Sequence, residues 1–253
     1  MNDKNNGIGI LLSGLFEFGQ AISNLAKKAS EWFEENQDTI KAYIKIFADA
    51  GVWMGAVDRL SEEKLMFTDE LSLEFANEIL ESDNVQKTVE IFYTDDEFKH
   101  FNLLVDRCKN SKCAFDYQKF FNQIMSAYER EHYQLACTGL FSLMDRVLAD
   151  NTDKSKVVNF ENRIEKVKTK MADKSELDGI DKRTFCIYML ADIENGSIFE
   201  RASFDEDEPT LINRHWLLHG RTKKNYEFFD FLLVMLWLDA IIFMVDSSTE
   251  DIT

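Results

Sequence analysis

A single proline, Pro209, stands in a chain of 253 residues, and ten glycines are the only other strong helix breakers. Apolar residues recur at helical spacing almost throughout, so the sequence predicts an all-α fold. Ala21, Ile22, Leu25, Ala26, Ala29, Trp32 and Phe33 form one stripe. Asp38 is placed to cap a second helix carrying Ile40, Tyr43, Ile44 and Phe47, with Gly51 at its expected stop. Short amphipathic segments follow at 52–60 and 71–80. Val89 to Tyr93 has the composition of a short strand, and Thr94 to Glu97 reads as a capping box opening another helix.

From Tyr117 to Leu148 the pattern lengthens into two antiparallel helices turning near Glu129 to His132, with one long helix as the alternative. Asp150 to Asp153 breaks it. Residues 154–183 mix charges of both signs, as a solvated helix and loop would; Lys166, Lys168 and Lys170 fall on that face. Residues 181–193 read as helical, Pro209 as a helix start, and Tyr226 to Val245 as the final helix. His100 and His132 sit at helix boundaries with no assigned role, and the 21 phenylalanines follow the core spacing.

With 45% hydrophobic and 30% charged residues the chain is globular. Its formal net charge of -17 opposes broad, non-specific nucleic-acid binding, so any such contact must be local. Cys108, Cys113, Cys137 and Cys186 show no metal-type spacing and read as reduced, mostly buried thiols of a cytoplasmic protein. Residues 1–6 lack the basic region of a signal peptide. The stretch 228–245 is apolar over nearly a membrane span, but Asp230 and Asp239 within it favour a buried helix, such as one at a subunit interface.

Residues 210–226 form the one basic island. They hold Arg214, Arg221, Lys223 and Lys224 without an acid, between strongly acidic flanks. Within it runs Asn213-Arg214-His215-Trp216-Leu217-Leu218-His219-Gly220-Arg221. A guanidinium suits charge on phosphate, and an imidazole moves protons near neutral pH. Arg214 and His219 are five positions apart, about 140° on an ideal helix, so they converge only where the helix ends, and Gly220 supplies an end. His215 and His219 share a face, with Trp216, Leu217 and Leu218 packed opposite. Two plainer readings stay open: cations decorating a helix C-terminus, or His215 and His219 as metal ligands joined by Asp145 or Glu129. Asp145-Arg146 is either an exposed pair or a polar support for the site.

The Arg-x4-His motif, the polar residue after the arginine, the glycine after the second histidine and the upstream helical hairpin together resemble the HEPN superfamily. The wording from Leu211 to Gly220 is similar to HEPN-type proteins of bacterial phage-defence loci, and the resemblance covers roughly residues 116–247. It implies a metal-independent endoribonuclease that needs no cofactor and acts as a homodimer on RNA. It also implies Arg214, His219 and His215 as catalytic residues and Asn213, Arg221, Lys223 and Lys224 as substrate contacts. Residues 1–112 would form an N-terminal helical region, sensory or regulatory, and 113–253 the HEPN-like domain. The biological role implied is growth arrest in abortive infection or a toxin–antitoxin pair, under an antitoxin or a phage-derived trigger. The alternative is a non-catalytic HEPN-like module that binds nucleotide or protein.

Overall fold

The computed structural model describes residues 37–66, 71–152, 160–174, 198–199, 203–205 and 207–249, together with Lys27. The protein is all-α, with no strand among the described residues. The chain divides into two compact units, Met1–Gly51 and Val52–Thr253. Helix α1 spans Gln37–Glu62, so Gly51 lies within a continuing helix and does not stop it. Glycine inside a helix costs about 1 kcal/mol relative to alanine, too little to end a long run. The stripe from Ala21 to Phe33, the helix expected over 181–193 and Cys186 lie outside the described residues.

In the second unit, α2 (Leu73–Glu81) starts at Ser72, whose hydroxyl accepts from the Phe75 amide at 3.1 Å. Helix α3 (Val85–Asn110) starts at Asn84, whose side chain accepts from the Lys87 amide at 2.9 Å. Val89 to Tyr93, expected as a strand, lie in this helix, with Val89 and Tyr93 buried four positions apart on one face. Local β-propensity yields there to the burial of a helical stripe. The axis breaks at Asp95–Phe98, where Asp96, Glu97 and Phe98 have φ of 51°, 55° and 62°. A second arm does begin at the predicted place. Thr94 plays no capping-box part, since its hydroxyl donates back to the Glu90 carbonyl at 2.9 Å.

A short 3-10 turn, Phe115–Tyr117, leads into α4 (Gln118–Tyr128) and α5 (Tyr133–Asn151), the hairpin predicted from periodicity. Then come α6 (Phe160–Lys174), α7 (Arg214–Leu218) and α8 (Phe228–Thr249). Lys166 and Lys170 are exposed on α6, as the mixed charge of that segment predicts. Pro209 opens no helix: residues 207–213 are irregular, and the first helical residue is Arg214.

Helix α8 is the axis of the fold, packed against α5, α3 and α6. Residues 231–242 are all buried, so the helix is apolar all round because it is enclosed all round. It is long and apolar enough to cross a membrane by length and composition, but its surface is covered by the chain's own helices. Each large side chain so enclosed contributes about 1.5–3 kcal/mol. Its polar groups are matched. Asp239 binds Arg107 of α3, the Asp246 carboxylate accepts from the Cys113 amide at 3.0 Å, and the Trp237 indole donates to the Lys64 carbonyl at 2.9 Å. Through these ties residues 52–112 lie in the same compact unit as the C-terminal helices. Burial pushes the Cys108 and Cys137 thiols well up and that of half-buried Cys113 up to about 12, so all three rest as thiols.

Candidate functional site

Helix α7 is one turn of chain fastened at both ends. At its start, Asn213 is buried and its side-chain oxygen accepts from the Trp216 amide at 3.1 Å. The Arg214 amide donates to the Ile198 carbonyl at 2.8 Å. Ile198 and Phe199 are buried, and Phe199 stacks on Phe160 of α6 at 4.1 Å and meets Trp237 of α8 at 4.9 Å. The Asn213 side chain, expected to contact substrate, thus serves the helix start.

At the other end, Gly220 has φ of 64°. Its amide donates to the Leu217 carbonyl at 3.0 Å, and the Arg221 amide donates to the Trp216 carbonyl at 2.9 Å. This is the Schellman pair of bonds, with glycine at the left-handed position that closes a helix. Gly220 ends the helix as its position in the motif predicts. Trp216 and Leu217 are buried as expected, whereas Leu218 is 37% exposed and does not join the core.

The motif residues part company on this turn. His215 and His219 come together, ring centres 4.6 Å apart, on the side facing Phe204. The Phe204 ring lies 4.8 Å from His215, 5.6 Å from His219 and 5.4 Å from Trp216, and the Arg221 guanidinium carbon sits 5.0 Å from its centre. Arg214 turns elsewhere. Its guanidinium is hydrogen-bonded to Asp145 of α5 and lies 5.3 Å from the centre of Phe160, and its Nε is buried with no hydrogen-bond partner. On this turn the Arg214 guanidinium and the two imidazoles therefore have different partners. Asp145 belongs to the motif as a support for Arg214, while its neighbour Arg146 pairs with Tyr117 and Asp150.

The basic loop after the turn is tied to the acidic segment before it. The Glu208 carboxylate accepts from the Lys223 amide at 2.9 Å and from the Thr222 hydroxyl. The Lys224 ammonium donates to the Thr210 carbonyl at 2.6 Å and to that of Pro209. Lys224 is thereby occupied by backbone, and Arg221 and Lys223 are the cations of the motif that stand exposed. Tyr226 anchors the far end: it is buried, its hydroxyl is 3.2 Å from that of Thr222, and burial pushes its ionisation up to about 12 against the pull of that hydrogen bond. A cleft of about 480 Å³, lined in part by His132, Tyr133, Asn225 and Tyr226, opens beside it.

Sequence reasoning singled out the histidines and the cations but missed Phe204. Lying ten positions before Arg214, next to an acidic run, it carries no local mark of its role. Among the described residues no group of three His, Cys, Asp or Glu gathers as metal ligands would. Comparison with known protein families, with curated proteins and with solved structures finds no match.

Proposed function

We propose that the protein is a HEPN-type endoribonuclease that cleaves RNA without a metal ion, working in the cytoplasm as a homodimer. The carrying observation is the pair of imidazoles 4.6 Å apart at the end of α7, inside an acid-free stretch that also bears Arg221 and Lys223. Transesterification of RNA needs two proton transfers on opposite sides of one phosphorus. One imidazole takes the proton of the ribose 2′-hydroxyl as the bond from that oxygen to phosphorus forms. The other gives a proton to the 5′-oxygen as its bond to phosphorus breaks. The products are a 2′,3′-cyclic phosphate and a 5′-hydroxyl, with nothing oxidised or reduced. A guanidinium held against the equatorial oxygens stabilises the charge that gathers there. Two copies of the basic loop in one cleft would gather positive charge locally within a chain whose net charge is -17. The biological role proposed is growth arrest in abortive infection or a toxin–antitoxin pair, released by a phage-derived trigger or loss of an antitoxin.

The rival reading, a HEPN-like module that binds nucleotide or protein without cleaving, draws on the engagement of Arg214 with Asp145. The discriminating experiment incubates the protein with labelled total RNA and tRNA in EDTA, beside His219→Ala. Cleavage that survives chelation, leaves cyclic-phosphate ends and vanishes in His219→Ala supports the nuclease. Binding of RNA with no cleavage by the wild type favours the module.

A further inference from the structure

The cleft of about 480 Å³ beside the basic loop carries polar side chains that the fold leaves unused. Around the motif most polar groups serve structure: Asn213 starts α7, Glu208 holds Thr222 and the Lys223 amide, and Lys224 lies on carbonyl oxygens. The cleft is different. Among the described residues no hydrogen bond engages the Tyr133 hydroxyl, the Glu131 carboxylate or the side-chain amides of Gln134 and Asn225, and all four residues line it. They come from two separate stretches of chain, so tertiary structure alone brings them together.

Resting on the reading of the protein as an RNA-cleaving enzyme, we infer that this cleft takes one adenine of the RNA, in a nucleotide flanking the phosphate at the motif. The half-buried Tyr133 ring lies 6.1 Å from Tyr128, which stacks on Phe231 of α8 at 4.6 Å. It is thus a fixed aromatic surface at the end of a row of rings leading out of the core, and an unpaired base can stack on such a surface. Leu135, 62% exposed, adds apolar area in the same cleft. At its edge adenine presents an amino donor beside a ring-nitrogen acceptor, a pattern that a side-chain amide meets with its oxygen and nitrogen at once. A carboxylate accepts from that amino group and repels the keto oxygen that uracil has instead, so Glu131 selects between them. Glu131 stands at φ of 58°, where glycine would fit more easily, so a carboxylate is kept at the cleft against the preference of the backbone. Asn225 follows Arg221 by four residues, no more than about 14 Å of extended chain. The Arg221 amide is bonded to the Trp216 carbonyl of α7, and Lys223 stands exposed between the two sites. The cleft is therefore within reach of a nucleotide next to the one whose phosphate meets the motif.

The test titrates adenosine 5′-monophosphate into the protein and follows the Tyr133 ring resonances by NMR, beside purine riboside 5′-monophosphate, which lacks only the amino group. The expected result is a saturable shift, with a midpoint about tenfold higher for the analogue. The double variant Gln134→Ala/Asn225→Ala, which changes two exposed side chains, should raise the midpoint for adenosine 5′-monophosphate by a similar factor. Glu131→Gly should also weaken binding while melting at a higher temperature, a combination that a merely structural role for Glu131 does not produce. Equal midpoints for the nucleotide and its analogue overturn the inference. So do wild-type titration by either variant and the lack of any shift in wild type. Adenosine 5′-monophosphate bound in the cleft of a protein that does not cleave RNA would sink the nuclease reading and leave this site standing. Cleavage by a protein whose cleft takes no adenine would do the reverse.

Discussion

Arg107 and Asp239, 132 positions apart in the chain, meet as a two-pronged ion pair: Nε donates to one carboxylate oxygen at 3.1 Å and a terminal nitrogen to the other at 3.0 Å. The two ends differ in burial, with the Asp239 side chain 7% exposed and that of Arg107 30%. The cost of breaking the pair should therefore depend on which side is cut. Arg107→Ala leaves a carboxylate in the core without its countercharge and should destabilise by about 3–5 kcal/mol. Asp239→Ala frees an arginine that can reach water and should cost clearly less. Urea melts of both variants check the order, and equal losses would contradict it.

Gly139 of α5 is where the hairpin closes on itself. A Cβ built there would fall 2.6 Å from Cγ1 and 3.2 Å from Cδ1 of Ile124 in α4. Gly139→Ala should cost about 1–3 kcal/mol through overpacking. Because the clash is with one side chain, Ile124→Ala should lose part of its own penalty when combined with Gly139→Ala. A double-mutant cycle measures that coupling.

Glu131 holds φ of 58° in the turn between α4 and α5. Its amide donates to the Tyr128 carbonyl at 2.8 Å and the His132 amide to that of Ala127 at 2.9 Å, the same Schellman pair that Gly220 completes. Glycine fits that conformation without a Cβ clash, so Glu131→Gly should stabilise the protein by up to about 1 kcal/mol. Gly220→Ala should destabilise by a similar amount and loosen Arg221. Calorimetry on the two variants should show shifts of opposite sign.

Asp230, in the first turn of α8, accepts from the Glu227 amide at 2.9 Å, yet burial raises its carboxyl above the usual range. The folded protein thus keeps this proton to higher pH than the unfolded chain does. Its contribution is most favourable below the unfolded value of about 3.9 and is lost as pH rises through the raised folded value. Asp230→Asn keeps an acceptor and removes the charge, so it should raise the melting temperature at pH 7. The gain over wild type should shrink toward pH 4; a gain independent of pH would show that charge is not the cause.

Much of this architecture can be read in the chain because helical periodicity is local. The hairpin from Tyr117 to Leu148, its turn near Glu131, the buried final helix and the helix end at Gly220 all follow from neighbours within a few positions. Where local preference opposed packing, packing prevailed: Val89 to Tyr93 became helix. The candidate site divides in the same way. That His215 and His219 share a face is arithmetic of the helix. That Arg214 turns to Asp145, 69 positions away, and that Phe204 comes beneath the imidazoles were decided by tertiary structure. A side chain's period states which way it leaves its own helix; its partner depends on where the rest of the chain has been laid, and no local pattern carries that.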